Sequence, residues 1–161
     1  MNDLKKNKHL KVCFACSSGG HLAQIKQLFP FSDKYITFLV TEQNETTATM
    51  NKTIKTFYLK QQERKNIFIF YKLLLNILKS IYILFKEKPN VIISTGAGAT
   101  LPLMILGKLF GAKIIFIESF AKINTPTITG KITYVFADQF YIQWPDLKKC
   151  YPNALYRGKL Y

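Results

Sequence analysis

The sequence contains few arginines and few acidic residues, and both features limit the kinds of partner that the protein is expected to bind. Nine acidic residues oppose 23 lysines and arginines, which gives a formal net charge of +14, and only Arg64 and Arg157 are arginines. A charge carried by lysine suits diffuse attraction to phosphates or anionic lipid better than bidentate reading of bases. We therefore expect an anionic partner or surface and no nucleic acid. A general drift of the composition toward lysine, asparagine and isoleucine would give the same charge.

Cysteine is also scarce, which excludes a disulfide framework. The chain has three cysteines, Cys13, Cys16 and Cys150, and an odd number cannot all be paired in disulfides. Cys13 and Cys16 form a C-x-x-C pair, but residues three apart on a strand face opposite sides of the sheet. Buried strand thiols therefore fit better than a redox or metal pair, and no metal site is predicted. The basic, polar arm 1–9 with the apolar run after it imitates the start of an export signal. That run is interrupted by Lys11 and is shorter than the apolar region of a signal peptide, so export is not expected.

Apolar and β-branched runs alternate with helical patterns along the 161 residues. The predicted strands are 10–16, 35–40, 54–59, 90–94, 113–118 and 138–143. The predicted helices are 21–29, 65–87, 99–110 and 126–136. Continuous apolar runs are typical of parallel strands covered on both faces. The alternation predicts one domain, 1–161, with a doubly wound, mainly parallel, Rossmann-like α/β sheet.

Two glycine-rich loops follow predicted strands, and ligands of such sheets bind at the carboxyl ends of the strands. Backbone N–H groups at the start of a helix favour an anion, usually a phosphate. Neither loop fits a dinucleotide fingerprint, since Leu101 stands where the second loop needs a third glycine, and neither contains a P-loop sequence. One such loop would mean little, because tight turns often need glycine. Together they predict a diphosphate cradle formed by Ser17, Ser18, Gly19, Gly20, Gly96, Ala97 and Gly98.

Two titratable residues are the candidate catalytic residues, His21 and Glu118. His21 ends the first glycine loop, whereas the other histidine, His9, belongs to the polar arm. Glu118 ends a very apolar predicted strand, where a carboxylate needs a reason. A structural reason would be the capping of the next helix or a pair with Lys122. Glu42, which follows the second predicted strand, is the main rival for a functional carboxylate.

Residues 67–85 predict a long apolar helix interrupted by lysines. At about 1.5 Å per residue this helix approaches the thickness of the bilayer core, but a central lysine is costly in lipid. Lysines recur every seven residues with Asn76 between them, which predicts a polar stripe. We therefore expect the helix to lie in an anionic membrane interface, with burial against a partner protein as the alternative. The predicted membrane contacts are Lys65, Lys72, Lys79, Lys86, Phe68, Leu75 and Tyr82.

An ordered set of motifs after residue 9 resembles a known group. The motifs are Ser17-Ser18-Gly19-Gly20-His21-Leu22 with Gln24, Ser94-Thr95-Gly96-Ala97-Gly98 with Pro102, Glu118-Ser119-Phe120-Ala121, and Gln143-Trp144. Together they resemble the PssD, CpsF and EpsE group of bacterial polysaccharide proteins. The eukaryotic relative of this group is Alg14, the membrane-anchoring subunit of the split dolichol-pathway N-acetylglucosaminyltransferase. The group is similar to the N-terminal half of MurG-type GT-B glycosyltransferases.

The resemblance implies that the two glycine loops bind a lipid-diphosphate acceptor. The donor nucleotide belongs to the other half of a GT-B enzyme, and residues 153–160 look like the exit of the N-terminal half. We therefore expect the UDP-sugar donor to be bound mainly by a partner subunit of the PssE, CpsG or EpsF type, with no cofactor in this chain. The eukaryotic subunit has an N-terminal membrane span that is not found here, and helix 67–85 is expected to supply the membrane contact.

The function implied is that of an acceptor-binding subunit of a two-chain inverting glycosyltransferase. The acceptor would be an undecaprenyl-diphosphate-linked sugar used in capsule or exopolysaccharide assembly, at the cytoplasmic face of the bacterial cell membrane. The protein is expected to be peripheral or monotopic, and inactive alone. One alternative is a non-catalytic protein that recruits the transferase to the membrane. A more distant alternative is a stand-alone nucleotide-binding protein.

Overall fold

The computed structural model describes residues 10–62 and 69–160. The strands in this part of the chain are β1 (Lys11–Cys16), β2 (Ile36–Glu42), β3 (Thr56–Leu59), β4 (Val91–Gly96), β5 (Lys113–Ile117), β6 (Gln139–Ile142) and β7 (Leu155–Tyr156). The α-helices are α1 (Gly20–Lys26), α2 (Ile69–Glu87), α3 (Leu101–Leu109) and α4 (Ile128–Tyr134). All neighbouring strands pair in parallel, in the order β3-β2-β1-β4-β5-β6-β7. The predicted doubly wound α/β fold is confirmed.

Two apolar clusters lie on opposite faces of this sheet, because successive strand residues point to opposite sides. One cluster contains Cys13 and residues of α2 and α3, and the other contains Cys16 and residues of α1. The two thiols therefore face apart, as predicted. Burial raises the pKa of Cys16 to about 12, so its thiol stays protonated. Both are structural side chains of the core.

The described elements differ from the predicted ones mainly at their ends. β4 continues to Gly96 because Gly96 pairs with Cys16 across the sheet. A 3-10 turn, Gly98–Thr100, precedes α3, so the predicted helix 99–110 begins later as an α-helix. The predicted helix 126–136 is shorter, since its first described turn begins at Ile128. These ends depend on contacts between strands that lie far apart in sequence.

Helix α2 turns its polar side chains inward. The buried Asn76 accepts a hydrogen bond from the Lys60 N–H at 2.7 Å and donates one to the Lys60 carbonyl at 2.9 Å. Lys79 Nζ donates to the carbonyl of Tyr58 at 2.9 Å, and Ser80 is also buried. The predicted stripe of lysines and asparagine thus faces β3 and its exit along part of its length. Asn76 and Lys79 pair there with main-chain groups.

The outward side of α2 is apolar instead. The large apolar side chains exposed on this helix are Phe70, Tyr71, Leu74, Leu78, Tyr82 and Phe85. Among the predicted membrane contacts, Tyr82 and Lys86 are exposed and Lys72, Leu75 and Lys79 are half-buried, while Lys65 and Phe68 lie outside the described residues. No helix within 10–62 and 69–160 combines the length and apolarity needed to cross a bilayer.

The apolar surface of α2 has counterparts on the two helices that share its side of the sheet. The Phe85 and Phe110 ring centroids lie 5.2 Å apart, which joins α2 to the end of α3. We call the exposed apolar residues of the three helices the apolar face: those of α2 given above, with Ile105, Leu109, Phe110, Ile128, Ile132 and Val135. Exposed apolar side chains in such number mark a surface that contacts lipid or protein.

Candidate functional site

A cavity of about 310 Å³ opens at the carboxyl edge of the sheet. It lies beside the ends of β1 and β4, where the strand order reverses direction, which is the usual ligand position in doubly wound sheets. The residues that line it are Ser17, His21, Glu42, Gln62, Gly96, Ala97, Gly98, Ala99, Thr127, Ile128 and Thr129. Both predicted glycine loops therefore contribute to one cavity.

Main-chain and side-chain bonds tie the two loops together. The Ser17 N–H donates to the Gly96 carbonyl at 3.0 Å, and the Thr95 hydroxyl donates to the His21 carbonyl at 3.0 Å. Gly96 has a φ of +99°, and a Cβ there would meet the His21 imidazole at 3.2 Å. Glycine is required at this position both by its conformation and by the ring packed against it.

His21 presents one ring nitrogen for chemistry. Its Nδ1 lies 2.6 Å from the Thr95 carbonyl oxygen, which only accepts, so Nδ1 carries the hydrogen. In the neutral ring Nε2 is then the proton acceptor. Burial lowers the pKa of His21 below its ordinary value, partly opposed by the Thr95 bond and by the charges of Glu118 and Glu42. The imidazole is therefore neutral near pH 7 and able to take up a proton.

Glu118, the second predicted catalytic residue, is turned away from the cavity. It is completely buried and accepts hydrogen bonds from the Ser119 N–H at 2.8 Å, from the Thr127 hydroxyl at 2.9 Å and from the Tyr151 hydroxyl at 2.7 Å. Thr127 in turn caps α4 by accepting the Gly130 N–H at 2.8 Å. These bonds give Glu118 a structural role, since they anchor the segment that forms one wall of the cavity, and its role as a general base stays a prediction.

The predicted diphosphate cradle is brought together only in part. Ser17, Gly96, Ala97 and Gly98 line the cavity, whereas Ser18, Gly19 and Gly20 belong to the first loop without lining it. The N–H groups of Ser17 and Gly96 are already bonded, that of Gly96 to the Ser94 hydroxyl at 3.1 Å. Of the described residues that line the cavity, none is lysine or arginine. An anion here would rest mainly on the remaining amides and on hydroxyl groups.

Two lining residues come from strand ends that carry no glycine loop. Glu42 ends β2, is only 6% exposed, and accepts the Gln62 N–H on Oε1 at 3.1 Å. Its position at the end of an apolar strand is the signal that made it a rival of Glu118. Gln62 follows β3 in a polar segment, and no pattern in the sequence marks it. Thr129, which also lines the cavity, was not predicted either, because no pattern in the sequence marks it.

The motif residues near the end of the chain support the loops from behind. Gln143 Nε2 donates to the side chain of Gln24 at 2.6 Å and to the Glu118 carbonyl at 2.9 Å. Trp144 Nε1 donates to the Phe120 carbonyl at 2.7 Å. Within the described residues no group of three or more histidines, cysteines or carboxylates is placed to hold a metal ion. These motifs therefore owe their spacing to packing around the cavity.

Comparison with solved structures shows the fold. The chain superimposes on the crystal structure of Acinetobacter baumannii MurG with a TM-score of 0.67 and 15% identity, over 85% of this chain and 42% of MurG. For UDP-N-acetylglucosamine 2-epimerase from Rickettsia bellii the TM-score is 0.71 with 15% identity, over 94% of this chain and 45% of the epimerase. The chain thus spans less than half the length of these structures.

Sequence comparison shows the family. The human UDP-N-acetylglucosamine transferase subunit ALG14 is 25% identical over 189 aligned residues, which cover 98% of this chain and 86% of the human protein. The corresponding Schizosaccharomyces pombe subunit is 37% identical over 91 residues, covering 52% of this chain and 43% of that protein. The family model described as "Oligosaccharide biosynthesis protein Alg14 like" matches residues 11–160. The chain therefore belongs to the Alg14-like family of oligosaccharide biosynthesis proteins.

Proposed function

We propose that this chain is the membrane-associated, acceptor-binding subunit of a two-chain glycosyltransferase that uses a UDP-sugar. The observation that carries the proposal is the cavity that His21 lines together with residues of two linked glycine loops. The relatives named as UDP-N-acetylglucosamine transferase subunits support it, and the fold shared with MurG is consistent with it. The acceptor we propose is an undecaprenyl-diphosphate-linked sugar of capsule or exopolysaccharide assembly, and the partner is a PssE, CpsG or EpsF-type subunit that holds the donor.

The proposed chemistry is a single displacement with inversion. The acceptor hydroxyl oxygen bonds to the anomeric carbon of the donor sugar, and the bond from that carbon to the UDP oxygen breaks. UDP leaves with the electron pair, and His21 Nε2 takes the proton of the hydroxyl. A histidine that is neutral at pH 7 and held by Thr95 through Nδ1 suits this role. Amides of the two glycine loops would hold the acceptor diphosphate.

The apolar face supports attachment to the cytoplasmic surface of an anionic membrane. Ile128 lines the cavity, is 67% exposed and begins the outward side of α4. A polyprenyl chain leaving the cavity beside Ile128 would therefore meet apolar side chains at once. Lys86 is exposed beside the same surface and bonds the Tyr82 hydroxyl at 2.9 Å. A surface of apolar side chains with lysines at its edge is typical of interfacial membrane proteins.

The test is reconstitution with the natural partner. The full chain is used to capture its partner, and the pair is assayed with a panel of UDP-sugars and an undecaprenyl-diphosphate-linked sugar. We expect transfer by the pair and none by either chain alone. Transfer by this chain alone would contradict the split-subunit proposal. Loss of complex formation, rather than of turnover, after substitutions in the cavity would identify the chain as a recruiter without a chemical role.

A further inference from the structure

We propose that Glu42 binds hydroxyl or amide donors of the sugar on the acceptor and so determines which acceptor is used. This inference rests on the proposed function and adds to it a specificity-determining residue. Glu42 lies at the end of β2, next to the β1 end that carries the first glycine loop. The cavity thus has a glycine-lined part after β4, Ser17 and His21 after β1, and a carboxylate at β2.

The geometry of Glu42 leaves one carboxylate oxygen for a ligand. Oε1 accepts the Gln62 N–H at 3.1 Å, which holds the side chain at the cavity wall. No described residue donates a hydrogen bond to Oε2. Glu42 as a residue is 6% exposed, and no buried side-chain oxygen of the described residues lacks a partner, so Oε2 is reached from the cavity that Glu42 lines. A ligand in the cavity that brings a hydrogen-bond donor to Oε2 takes the place of solvent there.

Charge decides which part of the acceptor that donor belongs to. A carboxylate and a diphosphate repel each other, and the described lining contains no lysine or arginine to separate them. The diphosphate is therefore better placed at the glycine-lined part of the cavity. An ionised carboxylate only accepts hydrogen bonds, and sugar hydroxyl and N-acetyl N–H groups donate them. Glu42 consequently suits the sugar that lies next to the diphosphate.

The experiment compares two probes that differ only in the sugar. Binding of farnesyl diphosphate and of farnesyl diphosphoryl-N-acetylglucosamine to the full chain is measured in detergent micelles by calorimetry. For Glu42→Gln, which retains an oxygen for the Gln62 N–H, we expect binding of the sugar-bearing probe to weaken about tenfold. Binding of the sugar-free probe should stay the same or tighten, because a negative charge has been removed. Glu45→Gln removes the same charge from an exposed neighbour and serves as the control.

The outcomes separate the two proposals. If the native chain binds both probes equally and Glu42→Gln changes neither, the inference is wrong while the acceptor site stands. If the substitution weakens both probes alike, Glu42 maintains the cavity or holds the diphosphate through a cation, and the inference is again wrong. If neither probe binds the native chain, the acceptor site itself is refuted. Selective loss of the sugar-bearing probe is the result that supports a sugar-reading carboxylate.

Discussion

At the scale of single residues, the two side chains predicted to be catalytic differ in their hydrogen-bond partners. His21 keeps Nε2 for the cavity because the Thr95 carbonyl takes Nδ1. Glu118 instead accepts hydrogen bonds from Ser119, Thr127 and Tyr151. The difference lies in hydrogen-bond partners, not in residue type.

The pH dependence of transfer tests the role of His21. Because burial lowers its pKa below the ordinary value of about 6.5, turnover of the reconstituted pair should be constant at neutral pH and fall on the acid side, with the inflection below 6.5. His21→Ala should lower kcat by about 100-fold or more, with a smaller effect on acceptor KM. His9→Ala, at the other histidine, is the control. An unchanged acid limb in His21→Ala would assign the titration to another group.

The same scale shows where sequence reasoning stops. Glu42 and Glu118 both follow apolar strands, so their local patterns are alike. What separates them is whether donors lie nearby in space: Thr127 is 9 positions from Glu118 and Tyr151 is 33 positions away. Those contacts form only when the sheet is assembled. They could not be predicted from the residues around the end of one strand.

At the scale of elements, the sequence pattern of α2 is compatible with two orientations of the helix on the sheet. Its apolar residues almost encircle it, so periodicity identifies a helix without deciding which side faces the sheet. The decision depends on β3, whose exit leaves main-chain groups at Lys60 and Tyr58 that need partners. Asn76 and Lys79 supply them, which turns a stripe predicted to be a polar surface toward the protein. The strands before the glycine loops, in contrast, could be predicted from the sequence. A continuous apolar run that ends at a glycine-rich loop indicates a buried strand followed by a turn.

The bond pair between Asn76 and Lys60 gives a prediction for this element. Asn76→Ala leaves the partly buried N–H and carbonyl groups of Lys60 without partners, so we expect the free energy of unfolding to fall by about 1–3 kcal/mol. Urea denaturation followed by circular dichroism measures it. Asn153→Ala, at an exposed asparagine whose side chain makes no hydrogen bond to the described residues, is the control. A loss no greater than that of the control would mean that apolar contacts alone hold α2 on the sheet.

At the scale of the whole molecule, the proposed membrane contact combines the apolar face with the net charge of +14. The double substitution Leu74→Ser with Leu78→Ser changes two side chains that are 53% and 56% exposed, so the core is left intact. We expect flotation with phosphatidylglycerol vesicles to weaken about tenfold or more, since each leucine contributes apolar area to the contact. The native chain should float less well with neutral phosphatidylcholine vesicles and in high salt.

Ile36→Ser, at an apolar residue that is 48% exposed at the start of β2, is the matched control for that experiment. If the double variant floats as well as the native chain, lipid does not cover α2. The apolar face would then be the contact of a protein partner, and the variant should instead weaken capture of that partner.

The apolar side of α2 faces outward, and this has a consequence during synthesis of the chain. β1, β2, β3 and α2 all precede residue 88 in the chain, whereas Gly96, Thr127 and Thr129 are synthesised later. The helix with its outward apolar side therefore leaves the ribosome before the second glycine loop and the far wall of the cavity exist. An apolar surface left in water at that stage is open to self-association. Early contact of α2 with its apolar surroundings would thus protect the nascent chain before it has a site at all.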